Sequence, residues 1–294
     1  MKLIEETISV DNVYYDLDHE IARHARGWLK EPSCWKKAQM WVDEMAEAIQ
    51  QKWKRLNPDR PLIMGLDAGP MTQAQRDWIY TRPYFDLLIF GKTHNVNQAK
   101  QWRMQYKKPY IPQESWEKYD RYSYIYPKHR THIRKFMWKF LMAKCQQMDL
   151  YMKPLKTPAK TKYPHNYDPR GWNKFEDDAL VLRTFWNSLT DHPNLWFNGT
   201  VASGPGSHQY VLSSENETVA YCSSATGKEG VRFQSQQLKL ENLALANGNH
   251  LLDIVKPDRG VLSTDEVAVS KGVLTVRLPA FTDDIAVHVY TARK

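Results

Sequence analysis

The sequence predicts an α/β fold: a partial (β/α) barrel of about five βα units, followed by an antiparallel β-sandwich. Three observations predict it. Over residues 1–192, short apolar runs alternate with longer segments of helical spacing, the pattern of parallel strands covered by helices. From Pro193 onward the pattern becomes short alternating segments separated by turn signals such as Asn198-Gly199, Asn247-Gly248-Asn249 and Lys271-Gly272. Composition shifts at the same place: ten of the 11 tryptophans precede residue 193, but only five of the 13 glycines do. Two domains are therefore expected, 1–192 and 193–294, divided near Asp191-His192-Pro193, where proline disfavours a continuing helix.

The elements follow in order. Val13–Leu17 is a strand rich in β-branched and aromatic residues. Trp35–Leu56 is a helix, with Trp41, Met45, Ala48 and Ile49 at helical spacing and Asn57-Pro58 as its stop; Trp41 and Trp138 are expected in the core. Pro61–Leu66 is a buried-type strand, Thr72–Tyr80 a short helix capped by Thr72, Phe85–Phe90 a third strand and Asn97–Tyr106 a helix. Pro109–Pro112 is a fourth strand, leading to a helix over Lys128–Gln147. A short strand at Asp149–Met152 and a helix over Glu176–Leu189 close the region. A closed barrel needs eight such units. Beyond it, six segments read as strands: Gln209–Leu212, Thr218–Tyr221, Val231–Phe233, His250–Ile254, Val273–Val276 and Ile285–Val289. This second region shows no dense constellation of titratable groups and is expected to be structural or sugar-contacting.

Composition narrows the function. Hydrophobic residues are 42% and charged residues 25%, ordinary for a globular chain. No apolar run reaches the ~20 residues a membrane span needs. Met1-Lys2-Leu3-Ile4-Glu5 is not a signal peptide, so the expected location is cytoplasmic by default. Cys34, Cys145 and Cys222 lie too far apart for a disulfide framework or a zinc knuckle. The formal charge is +8; residues 193–294 hold 9 basic and 10 acidic side chains, so residues 1–192 carry about +9.

Polar residues gather just after the apolar strands: Asp18, His19 and Glu20; Asp67; Lys92, Thr93 and His94; Glu114, Ser115 and Trp116; and Tyr151. Loops at the carboxyl ends of parallel strands build the active sites of such folds. Two carboxylates on facing strands, Glu20 and Glu114, can hold a sugar between them, one giving a proton and one attacking the anomeric carbon.

The segment Asp11-Asn12-Val13-Tyr14-Tyr15-Asp16-Leu17-Asp18-His19-Glu20 resembles the fourth barrel strand of clan A glycoside hydrolases, which ends in Asn-Glu; here His19 stands in the Asn position. Lys108-Pro109-Tyr110-Ile111-Pro112-Gln113-Glu114-Ser115-Trp116 resembles the seventh strand, and the region around Tyr210–Leu212, Val219–Tyr221 and Pro257-Asp258-Arg259-Gly260 resembles the small sandwich that follows such barrels. The resemblance implies a retaining glycosidase with Glu20 as acid/base and Glu114 as nucleophile. It also implies a carbohydrate substrate contacted by His19, Asp67, His94, Trp116 and Tyr151, with no cofactor and no metal. It places the first residue just before the fourth strand, so the expected barrel is incomplete. The rival expectation is a non-catalytic remnant that binds carbohydrate or a protein partner. Open strand edges at Val13–Leu17 and Leu150–Met152 lead us to expect a homo-oligomer, with no nucleic-acid or membrane partner.

Other motifs carry less. His19-Glu20-Ile21-Ala22-Arg23-His24 is HExxxH, with the second His off the face a zinc site needs. His129 and His132 read as solvated or capping residues of a basic helix. Lys153, Lys156, Lys160 and Lys162 read as a solvated loop. Asn198-Gly199-Thr200 and Asn216-Glu217-Thr218 fit the glycosylation sequon.

Overall fold

The computed structural model describes residues 14–16, 31–67, 71–91, 96–113, 130–145, 169–225 and 228–292. The chain is mixed α/β and forms two compact units, the first from residues 1–116 and 144–151, the second from 117–143 and 152–294.

In the first unit β1 (Tyr14–Asp16), β2 (Ile63–Asp67), β3 (Leu87–Gly91) and β4 (Tyr110–Gln113) make one parallel sheet in the order β1-β2-β3-β4. Between them run α1 (Pro32–Leu56), α2 (Gln73–Tyr80) and α3 (Val96–Tyr106). Pro32 opens α1 with a preset φ, and Lys54 and Arg55 place cations in its last turn, where the helix dipole favours them. Its buried stripe is Val42, Ala46, Ile49 and Trp53. Trp41, expected in the core, is 41% exposed, because one residue step turns it about 100° off that stripe. Thr72 caps α2 as predicted: its hydroxyl accepts from the Gln75 N–H, while the Gln75 side chain accepts from the Thr72 N–H.

Strand register sorts the side chains. Leu66 pairs with Leu88 and Leu88 with Tyr110, so these share one face, and Tyr110 meets Trp102 of α3 at 5.9 Å between ring centres. Tyr80 of α2 donates its hydroxyl to the Ile89 carbonyl at 2.9 Å. The other face carries Leu87, Ile89 and Ile111 as a buried apolar cluster. Gly65 lies beside them; a Cβ there would fall 2.4 Å from the Ile89 Cδ1, so the strand needs glycine for Ile89 to pass. The expected strand at Asp149–Met152 lies outside the described residues, but Cys145 already makes a parallel bridge to Tyr110 beside β4.

The second unit begins with α4 (Arg130–Met142) and α5 (Pro169–Ser188). α4 stops five residues short of the expected Gln147. The Ala143 N–H bonds both Lys139 and Phe140 carbonyls, and Lys144 turns to φ 56°, which ends the helix. Ten strands follow: β5 (Thr200–Ser203), β6 (His208–Ser213), β7 (Glu217–Ser223), β8 (Arg232–Phe233), β9 (Gln236–Glu241), β10 (Gly248–Lys256), β11 (Gly260–Val269), β12 (Leu274–Leu278), β13 (Phe281–Thr282) and β14 (Asp284–Tyr290). They form an antiparallel sheet of order β11-β10-β14-β7-β6, another of order β12-β9-β5, and the pair β13-β8. All six segments read as strands from the sequence overlap strands of the structure; β5, β9, β11 and β13 were not among them.

The five-stranded sheet is covered on both faces. Ala220, Cys222, Ile285, Val287 and Val289 pack with Leu238, Leu240, Leu274, Val276 and Leu278 of the three-stranded sheet. Val219, Tyr221 and Ala286 face the other way, against Trp138, Met142, Phe185 and Leu189 of the helical layer. That is why β7 is buried along its whole length. Trp138 is fully buried, as predicted, and stacks on Tyr221 with ring centres 5.5 Å apart.

The charged residues of α4 are not on a solvated face. Arg134, Lys135 and Lys139 are all buried, and so is His132, which corrects its solvated reading: α4 is covered on every side. Arg134 holds Asp284 through two bonds of 2.7 and 3.1 Å, Arg130 holds Asp178 through two of 2.6 and 2.7 Å, and Tyr221 donates to Asp284 at 3.1 Å. Burial raises the Asp178 and Asp284 carboxyls above the ordinary range in spite of these partners. On the same sheet, His288 donates to Glu217 at 2.9 Å, and Glu217 also accepts from the backbone N–H groups of Thr190 and Asp191. Within residues 193–294, Glu217 and His288 thus come together from 71 positions apart.

Candidate active site

Four strands deliver their carboxyl ends to one edge of the parallel sheet: Asp16, Asp67, Gly91 and Gln113 are their last residues. Because parallel strands are spaced about 4.8 Å apart, β1 and β4, three steps apart in the order, are separated by roughly 14 Å along the sheet. The ladder sets the levels. Asp67 pairs with Ile89, Ile89 with Ile111, and Gly91 with Gln113. Asp67 therefore occupies the last pair of the β2–β3 ladder.

Of the site residues expected from the sequence, Asp67 is described, as the terminal residue of β2. His19, Glu20, His94, Glu114, Trp116 and Tyr151 lie outside the described residues. In sequence, Glu20 comes four residues after β1 and Glu114 one residue after β4; His94 comes three residues after β3.

Titratable groups elsewhere in this unit serve the frame. The Asp86 carboxylate accepts from the Met64 N–H at 3.1 Å, and Lys108 donates to the Arg82 carbonyl at 2.7 Å, its pKa lowered by burial. Tyr84 bonds Asp43 and Tyr106 bonds Asp77, and burial with these carboxylates pushes both phenols up. Burial likewise raises the Cys145 thiol, with the Arg103 charge opposing it, and pushes Cys222 of the second unit up to about 12. All three cysteines are free thiols. Among the described residues no cluster of His, Cys, Asp or Glu could hold a metal ion. No helix among them is long and apolar enough to cross a membrane.

No family model and no curated protein matches the sequence. Solved structures do match the fold. One described as a glycoside hydrolase superposes with a TM-score of 0.51 at 12% identity, over 84% of this chain and 61% of its own. The fold resembles that of a glycoside hydrolase. A family 5 glycoside hydrolase from Bacteroides vulgatus matches at 12% identity with a TM-score of 0.47, over 86% of this chain and 58% of its own. A family 30 endoxylanase from Clostridium papyrosolvens matches at 14% identity with a TM-score of 0.42, over 80% and 57%. The resemblance to glycoside hydrolases read from the sequence is met at the level of the fold. This chain spans about three fifths of the length of the structures it matches.

The structure adds residues that sequence reading missed: Arg134 with Asp284, and Glu217 with His288. The i, i+4 spacing of Arg130 and Arg134 was a visible hint of a shared helix face. Their carboxylate partners, 48 and 150 residues away, were not.

Proposed function

We propose that this chain is a glycoside hydrolase-like protein that cleaves glycosidic bonds by a retaining two-carboxylate mechanism: residues 1–192 supply βα units of a (β/α) barrel, and residues 193–294 the β-sandwich that follows it. The observation that carries the reading is the parallel sheet in chain order, with β1 and β4 three strand spacings apart. The retaining mechanism requires the Glu20 and Glu114 carboxyls to lie about 5–5.5 Å apart.

Glu20 is the acid/base. It gives its proton to the glycosidic oxygen as the Glu114 carboxylate attacks the anomeric carbon, forming a glycosyl ester and releasing the leaving group. Glu20 then takes a proton from water, which opens the ester. His19, Asp67, His94, Trp116 and Tyr151 contact the sugar, with Trp116 and Tyr151 offering ring faces. Among the described residues β1 pairs only with β2, and its outer edge is where we place a homo-oligomer contact, to be read by light scattering at several concentrations.

A panel of aryl glycosides tests the reading. Turnover is expected for at least one sugar; Glu114→Gln abolishes it, and Glu20→Gln lowers it by about 10²–10⁴-fold. Glycoside binding without turnover, unchanged by Glu114→Gln, would instead establish a non-catalytic carbohydrate-binding protein.

A further inference from the structure

Three strands of the parallel sheet share one level just below its carboxyl edge. Asp67 pairs with Ile89 in the last pair of the β2–β3 ladder, and Ile89 pairs with Ile111. Two residues further on, about 7 Å of strand, the pair Gly91–Gln113 closes β3 and β4, and Glu114 follows in the sequence. This row is bonded from outside the sheet. Tyr80, the last residue of α2, is 1% exposed, and its hydroxyl donates to the Ile89 carbonyl at 2.9 Å. Apolar packing between helix and strand is non-directional, whereas a hydrogen bond to one carbonyl selects one level along the strand.

The phenol is itself held in place. Its ring stands edge-on to Tyr106 and Trp102 of α3, with centres 5.1 and 6.4 Å apart, and Trp102 in turn meets Tyr110 of β4. Arg76, one turn before Tyr80 on α2, lies over the Trp102 ring at 5.5 Å from its centre. The same guanidinium donates to the Met71 carbonyl, in the segment that joins Asp67 to the Thr72 cap. One cluster of side chains therefore ties the segment after β2, the level of β3 and the packing of β4. Tyr80 is the member of it that bonds the Ile89 backbone.

We propose that Tyr80 is a positioning residue for the proposed glycosidase site, on whose reading this inference rests. Its hydroxyl holds the row Asp67–Ile89–Ile111 at the level from which Asp67, and the Glu114 that follows β4, meet one sugar. It touches no substrate. A reacting constellation has to be held to within about 0.5 Å, and a misplacement of about 1 Å costs about 10²-fold in rate. Ground-state binding of the sugar is spread over several contacts and is far less sensitive to such a shift, so loss of the bond acts on turnover more than on binding.

Steady-state kinetics on the aryl glycoside that the wild type turns over, with circular dichroism on each variant, test it. Tyr80→Phe keeps the ring and removes the bond. Tyr106→Phe is the control: it removes a phenol of the same cluster whose hydroxyl bonds Asp77 of α2 and not a strand. In Tyr80→Phe, kcat is expected to fall about 10–100-fold with KM within about threefold of the wild type. In Tyr106→Phe both constants stay within about twofold. The proposal is overturned if Tyr80→Phe keeps kcat or changes KM alone, if the two variants lose kcat alike, or if Tyr80→Phe does not fold, since the phenol is then structural only. A normal kcat in Tyr80→Phe beside an active wild type overturns it alone; a wild type that turns over no glycoside overturns it together with the glycosidase reading.

Discussion

Replacing Arg134 with methionine should destabilise the second unit more than any loss of packing would. The guanidinium, with a side chain 6% exposed, makes both strong bonds to Asp284, which is 1% exposed. Methionine retains much of the aliphatic stem but leaves a buried carboxylate with only the Tyr221 hydroxyl at 3.1 Å. Breaking one side of a buried pair in this way costs about 3–5 kcal/mol. For a unit of this size each kcal/mol lowers the melting midpoint by about 2–4 °C, so a fall of roughly 10–15 °C is expected. Removing both charges, Arg134→Met with Asp284→Leu, should restore stability to within about 1 kcal/mol of the wild type, because neither desolvated ion remains. Asp178 keeps its two bonds from Arg130 in both variants. Urea unfolding followed by near-ultraviolet circular dichroism reads this directly, since Trp138 stacks on Tyr221 beside the pair. A single-variant loss below about 1 kcal/mol, or a double variant as unstable as the sum of the singles, would refute the reasoning.

Acid should act through Glu217 and not through Asp284. His288 and two backbone donors hold the Glu217 carboxyl below its ordinary range despite burial, so its contribution is present above the unfolded pKa and lost as pH falls through the folded one. Asp178 and Asp284 are raised, so theirs has the opposite sign and is lost as pH rises through their folded values. Glu217→Gln should cost about 2–3 kcal/mol at neutral pH and flatten the acid limb of a stability profile; an unchanged acid limb would contradict the assignment. Gly65→Val should destabilise the first unit by about 1–3 kcal/mol, because a Cβ there would meet the Ile89 side chain and something must shift; a neutral result in thermal melts would show that Ile89 yields without cost. Thr72→Ala should cost about 1 kcal/mol through the lost cap, with hydrogen exchange rising in the first turn of α2 and not elsewhere.

The alternation of strand and helix in the first region was legible because each parallel strand is an unbroken apolar run and each intervening helix carries its own stripe. Thr72 and Gln75 even named their cap three residues apart. The carboxyl ends of those strands were legible for the same reason, since a polar residue that closes an apolar run marks the place where the chain leaves the sheet. In the second region two of the four missed strands share a trait. β5 and β11 are edge strands with exposed positions along most of their length, so no alternating pattern forces them to read as strands. β11 is specified by its neighbour instead, through nine paired positions with β10.

What a linear reading cannot supply is the solvent exposure of a charge. Arg130, His132, Arg134, Lys135 and Lys139 make α4 look like a surface helix, because a chain of basic residues at mixed spacing has no apolar stripe to hide. In the structure His132, Arg134, Lys135 and Lys139 are buried, and the groups that make this tolerable come from α5, from β14 and from the loop after β7. Lys135 reaches Ser224 at 2.8 Å and the Lys228 carbonyl, 89 and 93 residues further on. Such partners leave no trace in local composition. The converse holds for Leu180, Val261 and Leu262, apolar residues in apolar contexts that the structure nonetheless leaves exposed. Burial of charge in α4 and exposure of hydrocarbon at Leu180, Val261 and Leu262 are departures from the same rule. In the first a fixed set of partners offsets the desolvation; in the second isolated apolar side chains stay on the surface, roughly half of which is apolar in any folded protein.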